Sequence, residues 1–451
     1  MAHLPMADME ELTMSGDRSR REFLRGAALG AGLMVVGRGV LGGEPGKQAP
    51  SDKLAMAIVG VGGRGRANIG GVRRERIVAL CDIDDRHLAK AKAQFPDAKT
   101  YHDWRKMFDQ KDIDAVVCST TDHTHAFVSV WAMRRGKHVY CEKPLAHSVY
   151  EARVVQETYV EKAKDGVRTQ MGTQIHATEN YRRVVELVRA KAIGDVREAH
   201  VWCSRRGPCP KRPAEGMPVP DYLHWDLWLG PAPYRPYHKS YMPGCMTWEQ
   251  HWDWGNGCIG DMGSHLIDLP FWALALRDPL TIESEGTPRS DESYPHWLKV
   301  HWEHPAIEGR AALKLHWYDG PQRPTSPPGH DLKKWSIGVL FVGDKGMLLA
   351  NYRRCILLPE DRYKGFKRPA PSIPRSKGQY GEWIHAAKTG EQTLCNFDYS
   401  GKLVEHNLLG TVAFRANSKL EWDPKKLAAT NCPAASAFIR RPYREGWTLL
   451  G

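Results

Sequence analysis

The sequence predicts a two-domain protein: an N-terminal α/β Rossmann domain with a doubly wound parallel sheet, and a C-terminal α+β domain with a large, mainly antiparallel sheet. Three observations support this prediction. Strand-like and helix-like segments alternate up to about residue 176, and strand-like segments with few helices follow from about Asp195. The length of 451 residues also exceeds the roughly 250–300 residues at which one core stops growing.

The first fifty residues are expected to form an export leader and a linker. Adjacent arginines, Arg20 and Arg21, precede a modest apolar stretch from Gly26 to Val40, which is the layout of a twin-arginine signal. That stretch is too short and too rich in glycine and alanine for a membrane span of about 20 residues. We therefore expect passage through the twin-arginine translocase to the periplasm or cell envelope, with the leader cleaved or kept as an anchor. An amphipathic helix is the alternative.

The charge pattern argues against a nucleic-acid partner. The net charge is +12, but lysines and arginines are scattered and no nucleic-acid-binding motif occurs. The ten cysteines are also dispersed, and several end apolar strand-like runs, as Cys81, Cys118 and Cys141 do. They are typical of buried thiols and do not suggest a disulfide framework.

Residues 51–176 are predicted to be the dinucleotide-binding domain. A strand-like run ends in Gly60, Gly62 and Gly65, a G-x-G-x-x-G spacing, and a second strand ends in Asp82. Gly60 would make the tight turn, Gly62 would leave room for a pyrophosphate, and Gly65 would let the following helix pack on the strand. A glycine-rich turn without a ligand is the alternative.

The same loop indicates which dinucleotide is bound. Asp82 would accept hydrogen bonds from the ribose hydroxyls and repel a 2′-phosphate, so NAD is expected over NADP. Gly63 and Arg64 complete the loop that faces the phosphates, and Arg64 and Arg86 are close enough in sequence to weaken the preference for NAD.

Residues that follow the next strands are expected beside the cofactor, because ligands bind at the carboxyl ends of parallel strands. The segments "DIDAVVCST", "KHVYCEKP" and "VRTQMG" are such strands. Thr120, His125, Glu142 and Lys143 are therefore candidate cofactor ligands, and His176 is a candidate substrate ligand.

Several motifs together resemble the glucose-fructose oxidoreductase / inositol dehydrogenase family, Gfo/Idh/MocA. They are the glycines at 60–65, Asp82, "TTDHTHAFVSVWAMRRGKHVYCEKPLAHS" at 120–148 and "GDMGSHLID" at 260–268, and the likeness covers nearly the whole chain after the leader. The resemblance implies a Rossmann domain, then a substrate domain, here residues 177–451. Many members carry a proline where this chain reads "TTDHTH", so the path of that loop is open.

The resemblance also implies the catalytic residues. Lys143 would lie beside the nicotinamide ribose and the reacting sugar, and Asp261 and His265 would be the acid/base and substrate-binding pair. Independently, a lysine held by a following proline can stabilise negative charge on a hydroxyl oxygen. A surface lysine before a turn is the alternative.

Asp261 and His265 lie four residues apart and would share one face of a helix. Two ligands do not fill a zinc shell, so no metal site is predicted. A capping role for Asp261 stays open. Asp268 is expected to support the pair, and Pro270 to kink or restart the helix.

An aromatic segment at 222–254 holds five tryptophans. Their faces suit the C–H faces of a sugar ring, so Trp254 is a candidate substrate ligand and a carbohydrate or cyclic polyol is the expected ligand. For any single tryptophan, a structural cluster or a subunit contact is the alternative.

These features predict an NAD(P)-dependent oxidoreductase that acts on a secondary hydroxyl of a sugar, sugar derivative or cyclic polyol. The hydride would leave the carbon that bears the hydroxyl, and His265 would accept the hydroxyl proton. Two alternatives remain. A glycosidase or lyase could use tightly bound NAD in a cycle of oxidation, elimination, addition and reduction, which export would favour because the periplasm lacks a soluble NAD pool. A non-catalytic carbohydrate-binding protein could keep the Rossmann scaffold. A homo-oligomer is expected.

Overall fold

Six parallel strands form the first sheet of the computed structural model, which describes residues 52–451. Their order is β3-β2-β1-β4-β5-β6, so the sequence order reverses between β1 and β4. A sheet of this kind opens a crevice at that point. The strands are β1 (Ala55–Val59), β2 (Arg76–Cys81), β3 (Lys99–Tyr101), β4 (Ala115–Cys118), β5 (His138–Cys141) and β6 (Thr169–Met171). The predicted doubly wound sheet is confirmed.

Helices connect these strands. The central strands are apolar throughout and every residue of β1 and β4 is buried, because helices cover both faces. Ser148 begins one helix with a capping box, in which its side chain and that of Glu151 bond each other's backbone N–H. The helices are α1 (Gly63–Val72), α2 (Asp85–Gln94), α3 (Trp104–Met107), α4 (Asp122–Arg134), α5 (Val149–Lys162) and α6 (Glu179–Arg189).

The second sheet has nine strands in the order β13-β12-β11-β7-β10-β9-β8-β14-β15. Its pairings are antiparallel except for β7 with β10, so the prediction of a mainly antiparallel sheet is confirmed. The strands are β7 (Val196–Cys203), β8 (Thr281–Thr287), β9 (Trp297–His304), β10 (Leu313–Asp319), β11 (Ile337–Gly343), β12 (Met347–Ala350), β13 (Cys355–Leu358), β14 (Leu420–Asp423) and β15 (Ala428–Ala429).

The remaining helices belong to the second half of the chain. They are α7 (Trp225–Leu229), α8 (Cys245–Trp248), α9 (Gly257–Asp261), α10 (Gly263–Leu266), α11 (Asp268–Ala273), α12 (Gln379–Thr389), α13 (Phe397–Ala416) and α14 (Ser436–Ile439). Six short 3₁₀ turns complete the regular structure of residues 52–451: Ala163–Asp165, Gln174–Ala177, Lys239–Tyr241, Leu332–Lys334, Glu360–Tyr363 and Pro433–Ala435.

The segment that carries Asp261 and His265 is a nearly continuous helix interrupted at Met262 and Ile267, both of which keep helical backbone angles. The helix restarts at Asp268, before Pro270. Pro270 then falls in the first turn of α11, where its missing N–H needs no partner. The helix therefore restarts two residues before the proline at which the sequence predicted a kink or restart.

Two C-terminal helices return to the first domain. Helix α13 lies along α5, with an ion pair of 2.7 Å between Arg153 and Glu405. On α12, the Trp383 ring packs at 5.8 Å from the ring of Tyr140 on β5. Residues Lys53–Gly451 consequently form one compact unit. The domain boundary near residue 176 remains a prediction.

The predicted export leader and the possibility of a membrane span remain to be compared with the structure. The leader with Arg20 and Arg21 lies outside the described residues. Within residues 52–451, no helix combines the length and apolarity that crossing a membrane requires.

Candidate active site

A cavity of about 640 Å³ runs along the carboxyl edge of the parallel strands, within the range of about 300–1,000 Å³ found for small-molecule sites. Both domains contribute to its wall. The structure brings most of the predicted residues together there: Gly60, Gly62, Gly63, Arg64, Asp82, Thr120, His125, Glu142, Lys143, Asp261 and His265.

The loop after β1 needs its glycines because neighbouring atoms lie too close to its backbone for a side chain. Gly60 has φ +82°, and a Cβ there would lie 2.6 Å from the carbonyl oxygen of Ser119. A Cβ on Gly65 would overlap the carbonyl oxygen of Gly60, so Gly65 brings the helix against the loop and does not line the cavity. A Cβ on Gly62 would meet the imidazole of His87.

This loop fits the pyrophosphate of a dinucleotide. Helix α1 follows Gly62, and no side chain caps its first turn. Its leading N–H groups therefore lack an acceptor from a capping side chain, and the helix dipole adds positive potential at the same place. The residues present would hold the phosphates through backbone N–H groups.

Asp82 shapes the loop as well as facing the cavity. Its carboxylate accepts N–H bonds from Val61 at 2.8 Å, Gly62 at 3.1 Å and Asp84 at 3.0 Å. Contact with Asp82 raises the pKa of His87, whose Nδ1 lies 3.8 Å from the carboxylate. Hydrogen bonds that Asp82 was expected to accept from the ribose hydroxyls would thus compete with those its carboxylate already accepts from backbone N–H groups.

Arg64 and Arg86, the two arginines considered in the choice between NAD and NADP, are both paired. Arg64 donates to Glu142 at 3.0 Å, and Arg86 donates to Asp84 at 2.7 Å and 3.0 Å. Neither guanidinium is therefore free of a carboxylate partner.

His125 fastens the start of α4 to the Glu-Lys-Pro segment. One ring nitrogen lies 2.7 Å from the carbonyl oxygen of Pro144 and the other 3.1 Å from that of Thr120. The Thr120 hydroxyl in turn accepts a bond of 2.7 Å from Thr124. Thr120, Thr124 and His125 also line the cavity, so these bonds hold part of its wall in place.

Beside the same cavity, charged side chains form a continuous chain. Lys143 pairs with Asp261, Asp261 pairs with Arg205, and Arg205 lies 2.9 Å from Glu249. Burial raises the pKa of Glu249, and burial together with Glu249 raises that of Asp122 well above its usual range. The sequence prediction omitted Arg205, Glu249 and Asp122, although "SRRG" directly after β7 was a signal for Arg205.

His265 is oriented by a threonine. Its Nδ1 lies 2.9 Å from the Thr173 hydroxyl, and that hydroxyl donates at 2.9 Å to the carbonyl oxygen of Ser264. Because the hydroxyl has one hydrogen, it accepts from Nδ1–H, which leaves Nε2 unprotonated. Within residues 52–451, Nε2 has no hydrogen-bond partner, and the residue lines the cavity. Burial, then Lys143, lowers the pKa of His265 well below its usual range.

Asp261, which pairs with Lys143 and Arg205, therefore does not hold the imidazole. The residue that does, Thr173, comes just after the last parallel strand, where ligand-binding residues were expected. The strand-end rule indicated this stretch, and His176 was selected from it in place of Thr173.

Two predicted substrate ligands lie outside the cavity. His176 is fully buried, bonds Asp268 at 2.9 Å and stacks on Trp272 at 4.0 Å, so it supports the fold away from the cavity. Trp254 is also fully buried, 4.9 Å from the ring of Trp228. Neither lines the cavity.

The aromatic segment forms its own small core, as the structural alternative allowed. Trp225, Trp228, Tyr241 and Trp254 pack together in it. Its edge still reaches the site, because Trp228 and Trp248 line the cavity.

Comparison with known proteins agrees with this architecture. Residues 54–171 match a family described as "Oxidoreductase family, NAD-binding Rossmann fold" (Gfo/Idh/MocA), and residues 206–307 match "Oxidoreductase family, C-terminal alpha/beta domain". A solved structure of the WlbA dehydrogenase from Bordetella pertussis, with NADH and UDP-GlcNAcA, is similar in fold. Its TM-score is 0.58 at 16% identity, over 82% of this chain and 99% of that one.

Sequence relatives match over shorter stretches. An inositol 2-dehydrogenase of Salmonella paratyphi B is 29% identical over 153 residues, 33% of this chain and 45% of the relative. A "Glycosyl hydrolase family 109 protein" of Stenotrophomonas maltophilia is 32% identical over 199 residues, 39% of this chain and 40% of the relative. The chain thus matches less than half the length of these relatives.

Proposed function

We propose that this chain, a member of the Gfo/Idh/MocA oxidoreductase family by the matches to its two domains, is an NAD-dependent oxidoreductase of a secondary hydroxyl on a sugar, sugar derivative or cyclic polyol. One observation carries the proposal. The glycine loop and the group of Lys143, Asp261 and His265 line one and the same cavity.

The side chains divide the proton chemistry between them. NAD, when bound, supplies the hydride acceptor. Nε2 of His265 is the available base, and it accepts the proton of the substrate hydroxyl. Lys143 donates a hydrogen bond to the same oxygen and stabilises the charge that develops on it. Asp261 fixes the lysine, and Arg205 fixes Asp261 from the other side.

The cavity wall supports a polyhydroxylated ring as the substrate. Trp228 and Trp248 offer flat apolar faces, and Asp122 and Glu249 offer carboxyl groups for hydroxyls. Burial raises the pKa of Asp122 well above its usual range, which favours the protonated form that can donate as well as accept a hydrogen bond, whereas Glu249, paired with Arg205, accepts.

We further propose NAD over NADP, tightly held. The carboxylate of Asp82 lines the cavity and repels a 2′-phosphate, and Arg64 and Arg86 are already paired with other carboxylates. Export as a folded, loaded protein would favour retention of the cofactor.

The test begins with the cofactor. Purified protein is denatured and the released nucleotide identified by mass spectrometry, and wild type is then assayed against a panel of polyols and sugars. We expect His265→Ala to abolish turnover and retain NAD, and Lys143→Met to behave likewise. Protein without NAD and without hydride exchange on any polyol would refute the proposal. Loss of NAD together with turnover in His265→Ala would assign this residue a structural role.

A second candidate is a glycosidase that uses bound NAD through a full redox cycle. The match to proteins named glycosyl hydrolase family 109 favours it. Aryl glycosides are incubated with the protein without added NAD. Release of the aryl alcohol supports the glycosidase, whereas NADH that accumulates with free sugar supports the dehydrogenase.

We propose export by the twin-arginine route as the cellular setting. Replacing Arg20 and Arg21 by lysine should leave the protein in the cytoplasmic fraction of its host, and unchanged fractionation would contradict the proposal. The protein released from wild-type cells also shows by its mass whether the leader is cleaved.

A further inference from the structure

Three strands of the second sheet carry a histidine at the same height. His200 on β7 pairs directly with His316 on β10, and His316 pairs with His301 on β9. The neighbouring residues Trp302 and Trp317 are fully buried, so the histidines point to the opposite face of the sheet. They form a row across the outer face, the histidine row, and none of them lines the catalytic cavity.

The side chains of this row converge. The rings of His200 and His316 stack with centroids 4.7 Å apart at 13°, and those of His316 and His301 meet at 4.7 Å and 71°. Nδ1 of His301 contacts Nδ1 of His316. Glu198, two residues before His200 on the same face, places its carboxylate 3.3 Å from Nε2 of His200.

We propose that the histidine row, together with Glu198, binds one divalent transition-metal ion of the zinc class. One donor atom from each of Glu198, His200 and His316 already lies within 4.8 Å of the others. Tetrahedral zinc with Zn–N bonds of about 2.0–2.1 Å separates its ligands by about 3.3 Å, so small side-chain rotations bring these three donors to that spacing. His301, which contacts His316 and lies outside that group of three, turns further to supply the fourth donor.

Charges of both signs surround the row. Glu283 is the direct cross-strand partner of His301, and Glu283 and Glu303 line a cavity of about 170 Å³ beside it, to which Lys314 and Lys419 also contribute. The Tyr318 hydroxyl lies 3.1 Å from Nδ1 of His200. A histidine that binds metal through Nε2 commonly donates its other N–H to such a partner, which fixes its tautomer and ring orientation.

Two other clusters of potential metal ligands occur in residues 52–451, and both are less suited. His125, between Cys118 and Cys141, already has both ring nitrogens on carbonyl oxygens. The other, Asp85 with His102 and His224, has only three donors, and Asp85 is exposed. The histidine row alone offers three imidazoles and a carboxylate.

The test titrates zinc into the full chain, carrying no histidine tag and stripped with a chelator, in competition with a chromophoric chelator. We expect the wild type to bind one zinc ion tightly per chain. In His316→Ala, affinity should fall more than about 100-fold, the upper figure for losing only an outer partner of a metal site. His330→Ala is the matched control, because it removes another His–Glu pair, at 3.2 Å, outside the row. This control variant should still bind one zinc ion tightly.

Further variants keep the outcome decisive. If His316→Ala does not fold, as judged by circular dichroism and NAD content, His301→Gln and Glu198→Gln at the edges of the row should show the loss. A wild type without a tight equivalent overturns the proposal. The proposal is also overturned if all variants of the row still bind one zinc ion tightly and His102→Ala does not. That result would assign the metal to the exposed cluster.

Discussion

Replacing Thr173 by valine should slow the proposed reaction while leaving the cofactor bound. The change removes the hydroxyl that accepts a hydrogen bond from Nδ1–H of His265 at 2.9 Å and keeps a side chain of similar shape. Nδ1–H would then be buried without an acceptor. The imidazole could avoid this by moving its proton to Nε2, where it would block the base.

The size of the effect follows from the cost of that unpaired group. A buried donor left without a partner costs about 1–3 kcal/mol. If this free energy favours the wrong tautomer, kcat/KM falls roughly 5- to 150-fold, at 1.36 kcal/mol per factor of ten. The free energy of unfolding should fall by a similar amount.

Two readouts separate orientation from general damage. Steady-state kinetics on a substrate of the wild type gives kcat/KM, and nitrogen NMR of labelled histidine reports the tautomer of His265 without any substrate. Thr173→Ser should restore both. Thr178→Val is the matched control, because its hydroxyl bonds the carbonyl oxygen of Ile175 at 2.8 Å in the same turn and does not touch His265.

The reasoning would be refuted by a Thr173→Val enzyme within about twofold of wild type, by an Nε2–H tautomer in wild type, or by a serine variant that restores nothing. A Thr178→Val enzyme slowed as much as Thr173→Val would show that the turn as a whole, and not the single hydroxyl, controls the rate.

Other changes give equally specific expectations. Gly65→Ala should cost about 1–3 kcal/mol or more of unfolding free energy and weaken NAD binding, because the new Cβ overlaps loop backbone. Gly70→Ala in the same helix meets nothing within 4 Å and should stabilise by about 0.4–1 kcal/mol in denaturant titrations; equal effects would contradict this account. Asp268→Ala, which leaves buried His176 without its acceptor, should cost about 1–3 kcal/mol in melting experiments, with NAD content unchanged; lost cofactor would place the pair in the binding site. Because burial lowers the pKa of His265, its proton-accepting form persists below pH 6.5 and is lost only as the pH falls through that lowered value. The acid limb of kcat/KM should therefore lie below 6.5, and a limb at or above 6.5 in a pH profile would argue against this base.

The first sheet and its ligand edge could be predicted from sequence because their signals are local. The glycine spacing, the apolar strands and the acidic residue that ends β2 each lie within a few neighbouring residues. The same holds for Lys143, which follows the end of β5 by two residues. Strand-end position is enough to bring such residues to one cavity in a parallel sheet.

Contacts across the two domains could not be predicted in this way. Arg205 and Glu249 join Lys143 and Asp261 only because β7, the aromatic segment and α9 converge in space. The burial of Trp254 and His176 outside the cavity could not be predicted for a related reason, since an aromatic or imidazole ring suits a buried cluster as well as a ligand site. No sequence pattern distinguishes the two cases when the covering residues are distant in the chain.

The return of α12 and α13 to the Rossmann sheet bears on how the protein is made. Trp383 and Tyr380 cover Tyr140 and Asn68, so the first sheet has no complete core until residues far beyond it have been synthesised. At about 5–20 residues per second, that delay lasts tens of seconds on the ribosome. A fragment that stops after β6 would expose the apolar faces that these helices cover. Chaperone protection therefore matters most while the Rossmann domain has been synthesised and α12 and α13 have not. Shortening the gene from its 3′ end should abolish NAD binding before any residue of the cofactor site is removed.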